Sequence, residues 1–275
     1  MSESTYQLEI LPESGFFDLG LRELWARQRL LWVLVRRDLQ VRYKSTVLGV
    51  VWVVLQPVLS TLIFTLILAR IFNTNGDNNY LLNTLIGFTL WQFFSSCLGA
   101  ATGSVYEQAR LIRKIYFPRA YIPLTIVFRQ LFDCGVGTIF LLLVMCWQRV
   151  WPTPVGLLAY ILGLVNLLLL TSGLSLMVSA LSVLFRDARH LIPFIVQIWF
   201  YLTPVFYGRG LLSGRLQILA LINPVTGTLD LVRGGLLAGQ IAWGSWAVQL
   251  FVGLVVAVLG LAFFRRLETE IIDRA

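Results

Sequence analysis

Charged side chains are scarce in this sequence. Asp, Glu, Lys and Arg make up 13% of its 275 residues, against about 25% in an ordinary soluble domain, while 57% are hydrophobic. A chain so short of charge cannot cover a water-facing surface, and this places it in a bilayer. Acids are scarcer than bases, 14 against 22. The net charge of +8 would suit nucleic acid if the cations were not placed as they are below. Histidine occurs once, at His190, and cysteine three times. Cys97, Cys134 and Cys146 lie in apolar runs with no CxxC and no Cys/His cluster, so metal or redox chemistry has no local support. No GxxxxGK[ST] phosphate loop occurs, so this chain offers ATP no such cradle. Residues 1–18 contain Glu3, Glu9, Glu13 and Asp18 without an apolar core, which argues against a cleavable signal peptide.

What is present is a series of long apolar runs. Residues 45–69 carry no charge, and as a helix they reach roughly 37 Å, enough to cross a ~30 Å hydrocarbon core with tilt. Just before them stand Arg36, Arg37, Arg42 and Lys44 against Asp38, a cluster that stays on the cytoplasmic side. The runs predict an all-α integral membrane protein with six transmembrane helices, at about 46–70, 80–103, 120–147, 155–182, 191–207 and 244–264. Pro57 falls inside the first of these. Upstream, Leu21, Leu24, Trp25, Leu31, Trp32, Val35 and Leu39 recur at helical spacing, opposite Arg22, Arg29, Arg36 and Arg37. That pattern predicts an N-terminal amphipathic helix, lying in the membrane interface or against a soluble partner. Residues 1–44 thus form a cytoplasmic N-terminal segment and 45–275 the transmembrane domain.

Residues 208–243 break the pattern with Gly208, Gly210, Gly214, Pro224 and Gly227. They are too interrupted for a span and too apolar for a free loop. They read as two short re-entrant helices dipping in from the outer face, where irregular backbone must be buried in protein or line a cavity.

The cations test this topology. Of the 22 Lys and Arg residues, seven precede span 1, four fall in 104–119, two in 183–190 and three after span 6. These 16 are all on the predicted inner side, which puts both termini in the cytoplasm and accounts for the basic charge without nucleic acid. Five lie on the outer side (Arg70, Arg149, Arg209, Arg215 and Arg233), and Arg129 lies within span 3. Arg129 and Asp133 stand at i,i+4 in that span, the spacing of an intramembrane ion pair on one helix face. The pair serves either structure or contact with a charged substrate. Aromatics at mid-span, Trp91, Phe94, Trp199 and Tyr201, with Trp52 and Phe206, are either helix packing or flat faces on which sugar rings slide. No His/Asp/Glu constellation supports an enzyme at either membrane face.

Specific stretches narrow the class. LIRKIYFPRAYIPL, at 111–124, resembles the segment after the second span in permeases of the ABC-2 polysaccharide-export type. RRDLQVRYKSTVLGVVW, at 36–52, resembles the approach to their first span. FRDARH, YLTPVFY and INPVTG also resemble family stretches, in the expected order.

The resemblance implies a dimer of two copies, each docking one cytoplasmic ATP-binding subunit that holds ATP and magnesium. Together they would extrude a lipid-linked polysaccharide, such as O-antigen, capsule or teichoic acid, across the bacterial inner membrane. It implies a coupling helix at 104–118, with Glu107, Arg110, Arg113 and Lys114 facing the ATPase, joined by Arg186 and Asp187 of the second inner loop. It also implies that the short helices of 208–243 form an outer gate. The chain itself would be no enzyme and would hold no cofactor. An exporter of a small amphiphile or drug, or an intramembrane transferase, are the rival readings.

Overall fold

A computed structural model describes residues 21–44, 51–71, 78–108, 117–206, 223–268 and 270. Helices α1 (Leu21–Ala26) and α2 (Gln28–Lys44) precede α3 (Val51–Ile71), α4 (Asn78–Ala101) and the short α5 (Ser104–Glu107). There follow α6 (Tyr121–Trp147), α7 (Pro154–Leu184), α8 (Ala188–Leu202), α9 (Pro224–Ala238) and α10 (Trp243–Arg266). No strand occurs among the described residues. Among the described residues, four helices are long and apolar enough to cross a membrane: Tyr80–Ala101, Tyr121–Trp147, Pro154–Leu184 and Trp243–Arg266.

Local chemistry sets the helix ends. Thr153 caps α7 by accepting from the Gly156 amide at 3.0 Å, with Pro154 in the first turn. At the far end of α9, Gly239 takes the left-handed φ of +65°. Its amide and that of Gln240 close back on Gly235 and Gly234 in a C-cap that spares the last carbonyls. α8 is shorter than the span expected at 191–207. It stops at Leu202 because Pro204 lacks an amide hydrogen and forces Thr203 into extended backbone. At about 22 Å it falls short of a full crossing. Within 208–243 one helix is seen, α9; residues 207–222 lie outside the described residues.

α7 is the central post. Against α10 it comes so close that a Cβ on Gly260 would sit 2.2 Å from the Gly173 carbonyl oxygen, and one on Gly173 would sit 2.2 Å from that of Val256. Small residues let backbones touch where lipid offers no hydrophobic gain for association. Further along, Asn166 on α7 donates to Thr228 on α9 at 2.8 Å. One core gathers Leu82, Ile86 and Phe94 of α4 with Leu141 of α6, Leu167 of α7 and Val232 of α9.

A second core joins α2 to the bundle. Leu31, Leu34 and Val35 pack with Tyr121 and Ile122 at the start of α6, Ala180 and Val183 at the end of α7, and Phe264 at the end of α10. Tyr121 donates its hydroxyl to the Leu24 carbonyl, and the Trp32 and Phe128 rings lie 5.4 Å apart. The aliphatic face of the amphipathic helix is therefore turned to the protein, and Trp25 and Trp32 remain exposed. Glu23 pairs with Arg265 at 3.5 Å, and Arg119 with Glu268 at 3.1 Å.

Candidate functional site

Three groups of side chains bear on function. The first lies where the loops after α4 and α7 meet. Tyr106 donates its hydroxyl to the Val183 carbonyl at 3.1 Å, and the Arg189 guanidinium sits 3.6 Å from the centre of the Tyr106 ring. Ser104 and Ser179 hydroxyls are 3.2 Å apart beneath them. These contacts tie the two loops together, with Glu107, Arg186 and Asp187 exposed on their surface. Arg110, Arg113 and Lys114 lie outside the described residues.

The second group surrounds Asp133. The expected pairing with Arg129 is not what is seen: among the described residues, Arg129 and Asp133 form no ion pair. Asp133 Oδ2 instead accepts from Arg42 Nη1 at 2.9 Å, and Oδ1 accepts from the Tyr43 hydroxyl. Arg42 donates as well to Gln130 Oε1 at 2.8 Å. The last turn of α2 runs beside α6, so a cation from outside the span reaches the carboxylate before its helical neighbour does. Burial, and then the Asp133 contact, hold the Tyr43 phenol above its ordinary pKa, so it stays a donor. The Arg129 Nε is buried with no hydrogen-bond partner. Beside this network a cleft of about 270 Å³ opens between α3, α4 and α6, lined by Arg42, Trp52, Gln56, Gln92, Gln130 and Asp133 among others.

The third group locks the end of α8 to α9. Asn223 caps α9 by accepting from the Val225 amide at 3.0 Å, and the same Oδ1 accepts from Trp199 Nε1 at 3.1 Å. Its Nδ2 donates to Thr203 Oγ1 at 2.8 Å. Arg233 then donates to the Asn83 carbonyl at 2.9 and 3.1 Å and to that of Pro204 at 2.7 Å. A further bond reaches the Val205 carbonyl. A Cβ on Gly87 would sit 2.6 Å from the Arg233 Nη2 and 2.2 Å from the Val205 oxygen, so only glycine leaves room there. One guanidinium therefore satisfies the carbonyls that the Pro204 break leaves without helical partners.

These contacts sort the expected aromatics. Trp91 and Phe94, 6% and 0% exposed, are buried within the chain's own core and offer no face to a passing ligand. Trp199 is half-buried, edge-on to Phe94 at 5.0 Å, and its indole nitrogen is committed to Asn223. Phe206 packs on Phe200 at 5.8 Å. Trp52 and Tyr201 are 55% and 59% exposed, and the Tyr201 ring also packs on Phe200 at 5.5 Å. Gly87, Asn223 and Arg233 had no place among the expected site residues. Only Asn223 had a local signal, the Asn-Pro of a helix start.

A family model described as ABC-2 type transporter matches residues 29–237. The chain belongs to the ABC-2 type transporter family. All three groups lie within the ABC-2 match, which begins in α2 and ends in α9. An O-antigen export system permease protein of Klebsiella pneumoniae is 28% identical over 244 residues, covering 87% of this chain and 92% of that one. One of Myxococcus xanthus is 29% identical over 208 residues, 74% and 79% of the two chains. A capsule polysaccharide export inner-membrane protein of Neisseria meningitidis is 24% identical over 256 residues, 90% and 94%. With its four apolar helices, this ABC-2 chain is a multi-pass membrane protein.

Proposed function

We propose that this chain is the membrane permease of an ATP-driven exporter that moves a lipid-linked polysaccharide across the bacterial inner membrane. The observation that carries the reading is that relatives named for O-antigen and capsule export match it over 79–94% of their own lengths. In this reading α3 is one further span and α8, together with the non-helical residues 203–206 that follow it, makes the sixth crossing; α9 is one of the outer gate helices, and both termini are cytoplasmic. Two copies form the path, and each docks one ATP-binding subunit that carries ATP and magnesium. The fused loops around Tyr106 and Arg189 are the docking surface, with Glu107, Arg110, Arg113, Lys114, Arg186 and Asp187 at the contact. Trp52 and Tyr201 present the exposed rings on which sugars slide.

Removing the chain from its host tests this. Lipid-linked glycan should accumulate on the cytoplasmic face while glycan synthesis continues. Unchanged glycan at the cell surface would refute the assignment. Topology is checked separately with reporter fusions. Those at Asn75, Gln148 and Arg215 should report outside, and those at Glu107, Arg189 and Ala275 inside; opposite labelling of Glu107 and Arg215 would break the six-span arrangement.

A further inference from the structure

The surroundings of Asp133 hold two cations and one anion. Arg42 reaches the carboxylate from the last turn of α2, across a helix boundary. Arg129 stands one turn earlier on the same helix as Asp133, at the i,i+4 spacing at which such side chains meet. Its Nε is nevertheless buried without a hydrogen-bond partner, a costly state in a low-dielectric setting. Asp133 lies 12 residues into α6, about 18 Å from that helix's start, so the span bears a guanidinium whose Nε lacks a partner for as long as α2 claims the carboxylate. The adjoining cleft borders both Arg42 and Asp133, giving the carboxylate room to turn and water to accompany it.

We propose that Asp133 is a positioning residue with two alternative partners: Arg42 when α2 lies docked along α6, and Arg129 when α2 draws away, and that transport proceeds through this exchange. The docked state leaves Arg129 unsatisfied at Nε and the undocked state frees Arg42 to the water outside the bundle. Each state thus satisfies one cation at the other's expense, so neither lies far below the other and a push on α2 can switch them. Because Arg42 and Tyr43 end the helix that leads into α3, the exchange moves the start of the first span. The transport part of this inference rests on the export function proposed above; the exchange itself does not.

The test uses the full chain in its native membrane with its partner subunits. Trp32→Cys and Phe128→Cys, on rings 5.4 Å apart, report α2 docking by their rate of bridging with a short bifunctional thiol reagent. The exposed Cys146 is replaced by serine. With Arg129→Gln, which removes the competitor, bridging should be about 1.7-fold faster; with Arg42→Gln it should be about three-fold slower, the changes in docked fraction that a roughly five-fold shift of a near-even equilibrium gives. Arg129→Lys should bridge like the parent. Equal rates in all four would overturn the exchange, as would a fall in the abundance of Arg129→Gln, which would mean Arg129 is already engaged in the docked state. At normal abundance Arg129→Gln should cut glycan export about ten-fold, and wild-type export would remove the exchange from transport. If the parent itself exports no glycan, the functional reading fails, while the bridging rates still judge the exchange.

Discussion

Replacing Gly260 with leucine should nearly abolish accumulation of the protein in the membrane. The side chain would begin 2.2 Å from the Gly173 carbonyl oxygen and 2.6 Å from its Cα, both backbone atoms of a facing helix that cannot rotate aside. Relief requires α7 and α10 to separate along a contact that also includes Gly253 against Asn166. Overpacking of this kind costs about 1–3 kcal/mol where side chains can give, and more where only backbone can move, against a total stability of about 5–15 kcal/mol. Gly260→Ala should show a milder form of the same defect. Gly99→Ala and Gly135→Ala add their methyl groups to open space, and both should accumulate as the parent does. Membrane-fraction immunoblots with a pulse-chase measure the effect. A stable Gly260→Leu protein would mean that α7 and α10 do not cross in contact.

Arg233→Met should lower the unfolding midpoint of the detergent-purified protein by about 6–12 °C. The methionine fills space but donates nothing, and the Pro204 and Val205 carbonyls lose the guanidinium that satisfies them. Two buried acceptors left without partners cost about 3 kcal/mol together, and each kcal/mol is about 2–4 °C in a chain of this size. Arg233→Lys should recover only part of the loss, because a single ammonium cannot fork to carbonyls on α4 and on the break after α8 at once. Asn223→Ala should act in the same direction by removing the α9 cap and freeing the Trp199 indole. If Arg233→Met melts with the parent, the clamp does not hold this end of the bundle.

The spans at α4, α6, α7 and α10 were legible in the sequence because an apolar run bounded by charge needs no partner to declare itself. α6 runs Tyr121–Trp147 where 120–147 was expected, and α10 runs Trp243–Arg266 where 244–264 was expected. Hydrophobicity alone carries α8 past Thr203-Pro204, whereas the proline ends it at Leu202. Longer-range choices were not legible. Asp133 has Arg129 at ideal helical spacing, yet takes Tyr43, 90 residues away in sequence, and its neighbour Arg42. Arg233 reads from sequence as one more outer cation, and nothing nearby announces acceptors 28, 29 and 150 residues away. Mid-span tryptophans pose the same problem. Hydropathy does not say which side of a helix meets protein, so Trp91 and Trp52 looked alike until one was buried and the other exposed.

The central claim, that this chain passes a lipid-linked glycan at the expense of ATP hydrolysed on a partner, is tested most directly in sealed vesicles. The purified chain is co-reconstituted with the ATP-binding subunit of its host and loaded with radiolabelled lipid-linked glycan on the nucleotide-accessible face. With ATP and magnesium, the label should become protected from an added glycan-degrading enzyme, at a rate that falls to background when the permease is omitted or a non-hydrolysable nucleotide is used. Protection at the same rate without this chain, or hydrolysis with no protected glycan in its presence, would contradict the account.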